Sequence, residues 1–221
     1  MPPSERRPFG TFGRPTPKPP AAPKLPDFCN LGEAVTFIIG PQKKTFFIHK
    51  KLACDYSPVL KAAFIGSFLE GQTQTYTLED TTEEGFGLFC QWVYTQKLDG
   101  DLGGQTKSVP ALCRVWVLAG KLLMPRLQNI AIDKIEELRP IENTIHIPIF
   151  QYVWDNTVAD SPLRRIFISQ CVWTLNKDEF RTSLSLFPKE MLSEMCYVFR
   201  DVTMKGTKFS IHMADFHVKE D

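Results

Sequence analysis

Short runs of apolar and β-branched residues predict strands early in the chain. Residues 34–39 (Ala-Val-Thr-Phe-Ile-Ile) end at the turn signal Gly40-Pro41, and residues 45–49 (Thr-Phe-Phe-Ile-His) form a second run. Two such runs joined by a short turn containing Gly and Pro are typical of a β-hairpin. A third short run, residues 75–78 (Thr-Tyr-Thr-Leu), predicts another strand.

Helical spacing of apolar residues follows these runs. Four helices are predicted to begin at Ser57-Pro58, Thr82, Pro110 and Pro125. Serine before proline is typical of an N-cap followed by a first-turn proline. The apolar stripe of the third helix reaches Leu122 and Leu123. The fourth helix is expected to end at Arg139-Pro140, because the residue before a proline disfavours helical geometry.

The C-terminal third repeats the helical pattern, so residues 141–200 are expected to form a helical extension. Its helices are predicted to begin at Pro148, Ser161-Pro162 and Pro188. In the second of these, Arg164 and Arg165 are expected on the outer face. Polar and apolar residues alternate over 202–212, and the segment 201–221 is therefore expected to contain a small hairpin and a tail.

The first 26 residues differ from the rest in composition. Residues 1–26 hold nine of the 17 prolines and carry a net charge of +4. Proline fixes φ and lacks a backbone donor, so this segment is expected to be a disordered, proline-rich, basic tail. Residues 17–20 (Pro-Lys-Pro-Pro) could dock in an aromatic groove of another protein, but a solubilising tail is the favoured interpretation.

Composition also limits the classes of partner and compartment. The formal net charge is +1, so no nucleic-acid partner is expected. No apolar stretch approaches the roughly 18 residues of a membrane span, and the start of the chain lacks the apolar core of a signal peptide. Six cysteines stand far apart without a C-x-x-C motif. Reduced thiols in an intracellular protein of the cytoplasm, the nucleus or both are expected.

No catalytic, cofactor-binding or metal-binding residues are predicted. Residues 103–108 contain glycines and Lys107-Ser108 but lack the spacing of a phosphate-binding loop. His212 and His217 would face different sides of a helix or a strand. His49 follows an apolar strand with no nucleophile or carboxylate partner evident, which favours a buried, hydrogen-bonded structural histidine over a catalytic base. The chain is therefore expected not to be an enzyme.

Several motifs in a fixed order together resemble one known family. They are Thr45-Phe46-Phe47-Ile48-His49-Lys50-Lys51-Leu52, Ser57-Pro58-Val59-Leu60, Phe68-x-Glu70, Phe86-x-Leu88-Phe89-x-x-Trp92-Val93-Tyr94-Thr95-x-x-Leu98, and Ala119-Gly120-Lys121-Leu122-Leu123-Met124-Pro125-Arg126-Leu127-Gln128-Asn129. On these motifs, residues 33–139 resemble a BTB/POZ domain. The chain is similar in style to the small BTB-only proteins of filamentous fungi.

The resemblance implies an α+β fold, in which a small β-sheet is flanked by helical hairpins, with His49, Ser57 and Tyr94 in the structural motif. It implies a protein–protein interaction module, often a homodimer, and a role as substrate adaptor for a cullin-RING E3 ubiquitin ligase. Phe68 and Glu70 match the element that contributes to cullin contact in that family. A core phenylalanine followed by a solvated glutamate explains the same residues. A self-associating scaffold, transcriptional or structural, with no ligase link is the alternative function.

One departure from the family pattern concerns the repressor-type BTB domains, which carry an acid–base pair in a charged pocket. The matching positions here are Ala34 and Phe47, and Glu33 is one residue out of register. A shift of one residue in a strand changes its face, so co-repressor docking of that type is not expected. No zinc-finger spacing or kelch repeat is present. Any substrate would have to be recognised by residues 141–221 or by the tail.

Overall fold

The computed structural model describes residues 31–98, 108–142, 145–205 and 212–220. The predicted tail, residues 1–26, lies outside the described residues. The described part contains three strands, β1 (Ala34–Ile39), β2 (Lys44–His49) and β3 (Thr75–Leu78). None of the helices in this part is long and apolar enough to cross a membrane.

The strands form one sheet in the order β2-β1-β3. β1 pairs antiparallel with β2 and parallel with β3, and the β1–β2 turn contains Gly40 at a φ of 68°. Glycine takes this left-handed conformation without a steric penalty. Val35, Phe37 and Ile39 alternate along β1 and are fully buried against the helices. The predicted hairpin and third strand are confirmed.

Six helices belong to this part of the fold, and three of them begin with a side-chain N-cap. Ser57 accepts a hydrogen bond from the N–H of Leu60, Thr82 from that of Gly85, and Ser108 from that of Ala111. These caps satisfy donors that the first helical turn leaves unpaired. The six helices are α1 (Lys50–Tyr56), α2 (Pro58–Ile65), α3 (Leu69–Thr73), α4 (Glu83–Thr95), α5 (Val109–Lys121) and α6 (Pro125–Glu142).

Two features of these helices differ from the sequence prediction. α1 and α3 were not predicted, because segments of seven and five residues are too short to show helical periodicity. α6 continues past Arg139-Pro140 to Glu142. Pro140 stands in the last turn, where it removes only a terminal hydrogen bond, and the expected end of the helix was therefore wrong by about one turn.

The C-terminal extension is helical, as predicted. The predicted N-cap Ser161 accepts a hydrogen bond from the N–H of Arg164. A further helix, not predicted, begins after Asn176, which makes a reciprocal capping box with Glu179. The helices are α7 (Phe150–Asn156), α8 (Pro162–Thr174), α9 (Lys177–Ser183) and α10 (Lys189–Lys205), with 3₁₀ turns at Ile147–Ile149, Leu184–Leu186 and Met213–Phe216.

Two expectations for the extension were wrong. Arg164 is buried rather than on the outer face, and its guanidinium donates to the carbonyl of Trp154 at 2.7 Å and to Glu194 of α10 at 3.0 Å. A small hairpin was expected over 202–212, but residues 202–205 are the last residues of α10, which ends at Lys205. An alternating pattern of a few residues fits either element, and the first residues of this one, 202–205, are helical. Residues 206–211 lie outside the described residues.

The extension shares its core with the α+β part. Phe150 of α7 is fully buried, and the Arg114 guanidinium of α5 lies over the Tyr152 ring at 5.7 Å. Gln170 of α8 donates to Glu136 of α6 at 2.8 Å. The buried residues of both parts form one continuous cluster. The prediction of an α+β fold with a helical extension is confirmed.

Candidate functional site

Phe68 and Glu70, which sequence analysis singled out, lie at the start of α3. Phe68 is the N-cap residue, and Glu70 stands in the first turn. The Phe68 side chain is 62% exposed and the neighbouring Leu69 side chain is also exposed. The alternative that Phe68 belongs to the core is therefore wrong. Adjacent exposed apolar side chains of this size mark candidate interaction surfaces.

These residues border an open groove of about 490 Å³ between α2, α3, β3 and the turn that joins α5 to α6. Burial and, to a smaller extent, the nearby Glu70 carboxylate raise the pKa of the Tyr76 phenol above its usual value. The groove is thus an apolar surface with one acid and one phenol as its polar groups. Its lining residues are Pro58, Val59, Ala62, Ala63, Phe68, Glu70, Tyr76 and Leu123.

Close backbone packing holds α3 beside α2. A Cβ atom at Gly71 would collide with the carbonyl oxygen of Gly66 and lie 3.1 Å from that of Ala63. Gln74 follows α3 in the left-handed conformation, and its side-chain amide donates to the carbonyl oxygens of Gly71 at 2.5 Å and Phe64 at 3.3 Å. These contacts position Phe68 and Glu70 relative to α2.

Leu123, which sequence analysis did not identify as a site residue, occupies an unusual position at the groove. The helical stripe predicted for α5 included Leu123, but α5 ends at Lys121. The N–H of Leu123 donates to Gly120 and that of Met124 donates to Ala119, which is the Schellman pattern of a helix end. Leu123 has a φ of 53° and is 61% exposed. Glycine is usual at this position, so an exposed leucine there is strained.

Ser57 connects the groove to the core. Its buried hydroxyl accepts from the N–H of Leu60 at 3.1 Å and donates to the carbonyl of Leu122 at 2.7 Å. The second bond joins the start of α2 to the turn that displays Leu123. The cap was predictable from the adjacent proline, but the second partner lies 65 positions away along the chain.

The other two residues of the expected structural motif also meet. His49 lies at the junction of β2 and α1, and its Nδ1 is 2.8 Å from the Tyr94 hydroxyl. The His49 backbone N–H donates to the same hydroxyl at 3.2 Å. His49 is partly buried and is not exposed to solvent as a whole. The contact joins the sheet to α4.

The two positions of the sheet that carry the charge pair in repressor-type domains, Ala34 and Phe47, hold no charged residue here. Ala34 pairs with His49 across β1 and β2, and Phe47 is 69% exposed on the outer face of the sheet. Glu33 is instead paired with Lys50 at 3.2 Å. The structure thus places an alanine and an exposed phenylalanine where the charge pair would stand.

Comparison with known proteins complements this geometry. A family model for the BTB/POZ domain matches residues 28–138, about half of the chain. The predicted bounds of the domain were residues 33–139. No curated protein matches the sequence.

Proposed function

Because the chain belongs to the BTB/POZ domain family, whose members are protein–protein interaction modules, we propose that it is a substrate adaptor of a cullin-RING E3 ubiquitin ligase. The groove bordered by Phe68, Glu70 and Leu123 contacts the cullin in this proposal. The observation that supports it is the exposure of Phe68 beside a half-buried glutamate.

The chemistry of the groove suits an apolar anchor with a polar register contact. Phe68 and Leu123 present apolar area that a partner would remove from water, and such anchors supply most of the binding energy of interfaces. Glu70 supplies a carboxylate beside them. A complementary charge on the partner would fix its orientation more than it would raise affinity.

The test is titration calorimetry of the full chain against a purified cullin N-terminal domain. We expect Phe68→Ala to weaken binding about thirtyfold, which corresponds to about 2 kcal/mol. Melting curves should stay near those of the wild type, because exposed side chains contribute little to stability. Phe47→Ala is the matched control, since Phe47 is similarly exposed on the outer sheet face and does not line the groove.

Glu70→Ala provides the second arm of the same experiment. Loss of binding in both groove variants, with affinity kept in Phe47→Ala, supports the adaptor. If the wild type binds the cullin and neither groove variant changes the affinity, the cullin contact lies outside this groove. A folded wild type that binds no cullin at tens of micromolar would exclude the adaptor. A dimer detected by light scattering in that case would favour the self-associating scaffold.

The substrate of such an adaptor would be bound outside the groove. In this proposal, residues 141–221 or the tail carry that role, because the groove itself is occupied by the cullin. The described part of 141–221 includes the helices α7–α10 and the segment 212–220.

A further inference from the structure

The C-terminal segment 212–220 lies against two helices that belong to different parts of the fold. It contains the 3₁₀ turn Met213–Phe216, after which the backbone is extended at His217. It contacts α6, within the BTB/POZ match, and α8, in the extension. The surface it covers is separate from the groove beside α3.

A buried amide side chain on α6 binds the backbone of this segment. Asn129 is only 6% exposed, and its side-chain amide makes two hydrogen bonds with the backbone of Val218. The Val218 N–H donates to Asn129 Oδ1 at 2.6 Å, and Asn129 Nδ2 donates to the Val218 carbonyl at 2.9 Å. The amide thus imitates a neighbouring β-strand, and without the segment its polar atoms would lose these partners.

Side-chain contacts add selectivity to the hydrogen bonds between Asn129 and the Val218 backbone, which together are called the clamp below. Phe216 is buried beneath the Arg165 guanidinium of α8, whose carbon lies 5.8 Å from the ring. Arg165 also donates to the Asp215 carbonyl at 2.7 Å. His217 Nε2 lies 2.7 Å from Asp133 Oδ1, one turn along α6 from Asn129. Glu220 accepts from Asn129 Nδ2 at 2.8 Å.

This combination of backbone hydrogen bonds and side-chain contacts is typical of a peptide-recognition site. Backbone hydrogen bonds hold an extended chain in register, and pockets for particular side chains select its sequence. Phe216 is the one residue of 212–220 that is fully buried, while Met213 and Val218 pack against the core and stay partly exposed. A ligand that offers the same contacts can therefore compete with it.

We propose that the α6–α8 surface is a peptide-binding site, which residues 212–220 fill in cis and which accepts an extended protein segment in trans. The ligand would carry an aromatic residue, then a hydrogen-bonding residue that reaches Asp133, then a residue whose backbone pairs with Asn129. An acidic residue two positions later would complete the pattern. The site does not depend on whether the chain binds a cullin.

The test uses the full chain and a fluorescent peptide with the sequence of residues 212–220. Phe216→Ala/His217→Ala weakens the segment in cis and should bind the peptide, as measured by fluorescence polarisation. A tethered segment has a millimolar effective concentration, so the wild-type chain should bind the peptide at least about tenfold more weakly. Adding Asn129→Ala to the double variant should abolish binding, whereas adding Asn156→Ala, on the exposed end of α7, should not.

A peptide with N-methylvaline at the position of Val218 tests the clamp without changing the protein. It lacks the N–H that donates to Asn129 and should bind the double variant at least about tenfold more weakly than the unmodified peptide, as expected for loss of a hydrogen bond to a buried group. Equal binding of both peptides would overturn the proposal. The proposal would also be overturned if the double variant melts like the wild type and binds no peptide. The segment would then be a permanent part of the fold that no peptide replaces. If the double variant is unfolded, Val218→Pro, which removes the same donor in cis, takes its place.

Discussion

Single buried polar groups connect the candidate groove to the core, and Ser57 is the clearest case. Ser57→Ala would leave the Leu60 N–H and the Leu122 carbonyl without their partners. We expect the free energy of unfolding to fall by about 2 kcal/mol, because a cap and a buried hydrogen bond are both lost. Thermal melting measures this, with Ser193→Ala, an exposed serine of α10, as the control. Equal melting temperatures for the two variants would contradict the assignment.

Leu123 offers a prediction in which stability and binding change in opposite directions. Leu123→Gly removes the left-handed strain, and we expect the free energy of unfolding to rise by up to about 1 kcal/mol. Binding of the groove partner should nevertheless weaken, because an exposed apolar side chain is lost. Leu123→Ala is the control, since it loses the side chain but keeps the strain. A strong destabilisation of Leu123→Gly in urea titrations would show that the leucine serves packing instead.

The cysteines should differ in reactivity. Burial raises the pKa of Cys90 and of Cys171 to about 12, and it also raises the pKa of Cys113. Thiolate is the reactive form, so these thiols should react slowly with iodoacetamide at pH 8, and the exposed Cys196 should react first among the described cysteines. Peptide mapping by mass spectrometry measures this, with urea-unfolded protein as control. Because their folded-state pKa values lie above the unfolded value of about 8.5, their contribution to stability is complete below that pH and is lost as pH rises towards the folded values.

Local signals were predictable at the residue scale, and distant contacts were not. The Ser57 cap is encoded by the adjacent proline, whereas its bond to Leu122 depends on the assembled fold. His49 and Tyr94 were recognised as motif residues, but their mutual contact spans 45 positions. Leu123 continues an apolar stripe in sequence, and only the geometry of the helix end separates it from the core.

Among the elements, α3 has the strongest link to the proposed function, and its position depends on Gly71. Gly71→Ala would force apart the backbones of α2 and α3. We expect a loss of about 1–3 kcal/mol in the free energy of unfolding, as for other overpacked sites. Affinity for the groove partner should also fall, although residue 71 does not line the groove. Calorimetry of both properties, with Gln72→Ala of the same helix as control, tests this. Unchanged affinity would show that the site tolerates movement of α3.

Element length and local start or turn signals together decided which elements the sequence could predict. The strands β1 and β2 and the long helices α4 and α5 carry enough periodic positions to be recognised. α1, α3 and α9 have five to seven residues each, and such segments depend on tertiary packing for their stability. The exposure of Phe68 could not be predicted for this reason, because Phe68 is the N-cap of α3, a helix that the sequence did not predict.

At the scale of the whole molecule, the BTB/POZ part and the extension should unfold together. Buried residues of both parts form one cluster, and α5 and α6 contact α7 and α8 through Tyr152 and Gln170. The two parts can be recognised in the sequence by composition and motif. The sequence could not show that they share a core, because that depends on which faces of the helices meet.

Phe150 tests this shared core. It is fully buried, and its ring lies 5.1 Å from that of Phe167 and 5.9 Å from that of Phe187. We expect Phe150→Ala to lower the free energy of unfolding by about 3–5 kcal/mol, as truncation of a buried phenylalanine does. Calorimetry should still show one transition, and hydrogen exchange should accelerate in α4 as well as in α8, because the parts open as a unit.

Tyr197→Ala is the control for Phe150→Ala, since this aromatic side chain is exposed on α10 and should change stability by less than about 0.5 kcal/mol. If α4 instead keeps its wild-type protection in Phe150→Ala while α8 loses it, the extension is a separate cooperative unit. The extension could then open without unfolding the BTB/POZ part. The peptide site between α6 and α8 would be controlled by that opening, because its two walls belong to the two parts. With one shared transition, the site instead stays assembled until the whole molecule unfolds.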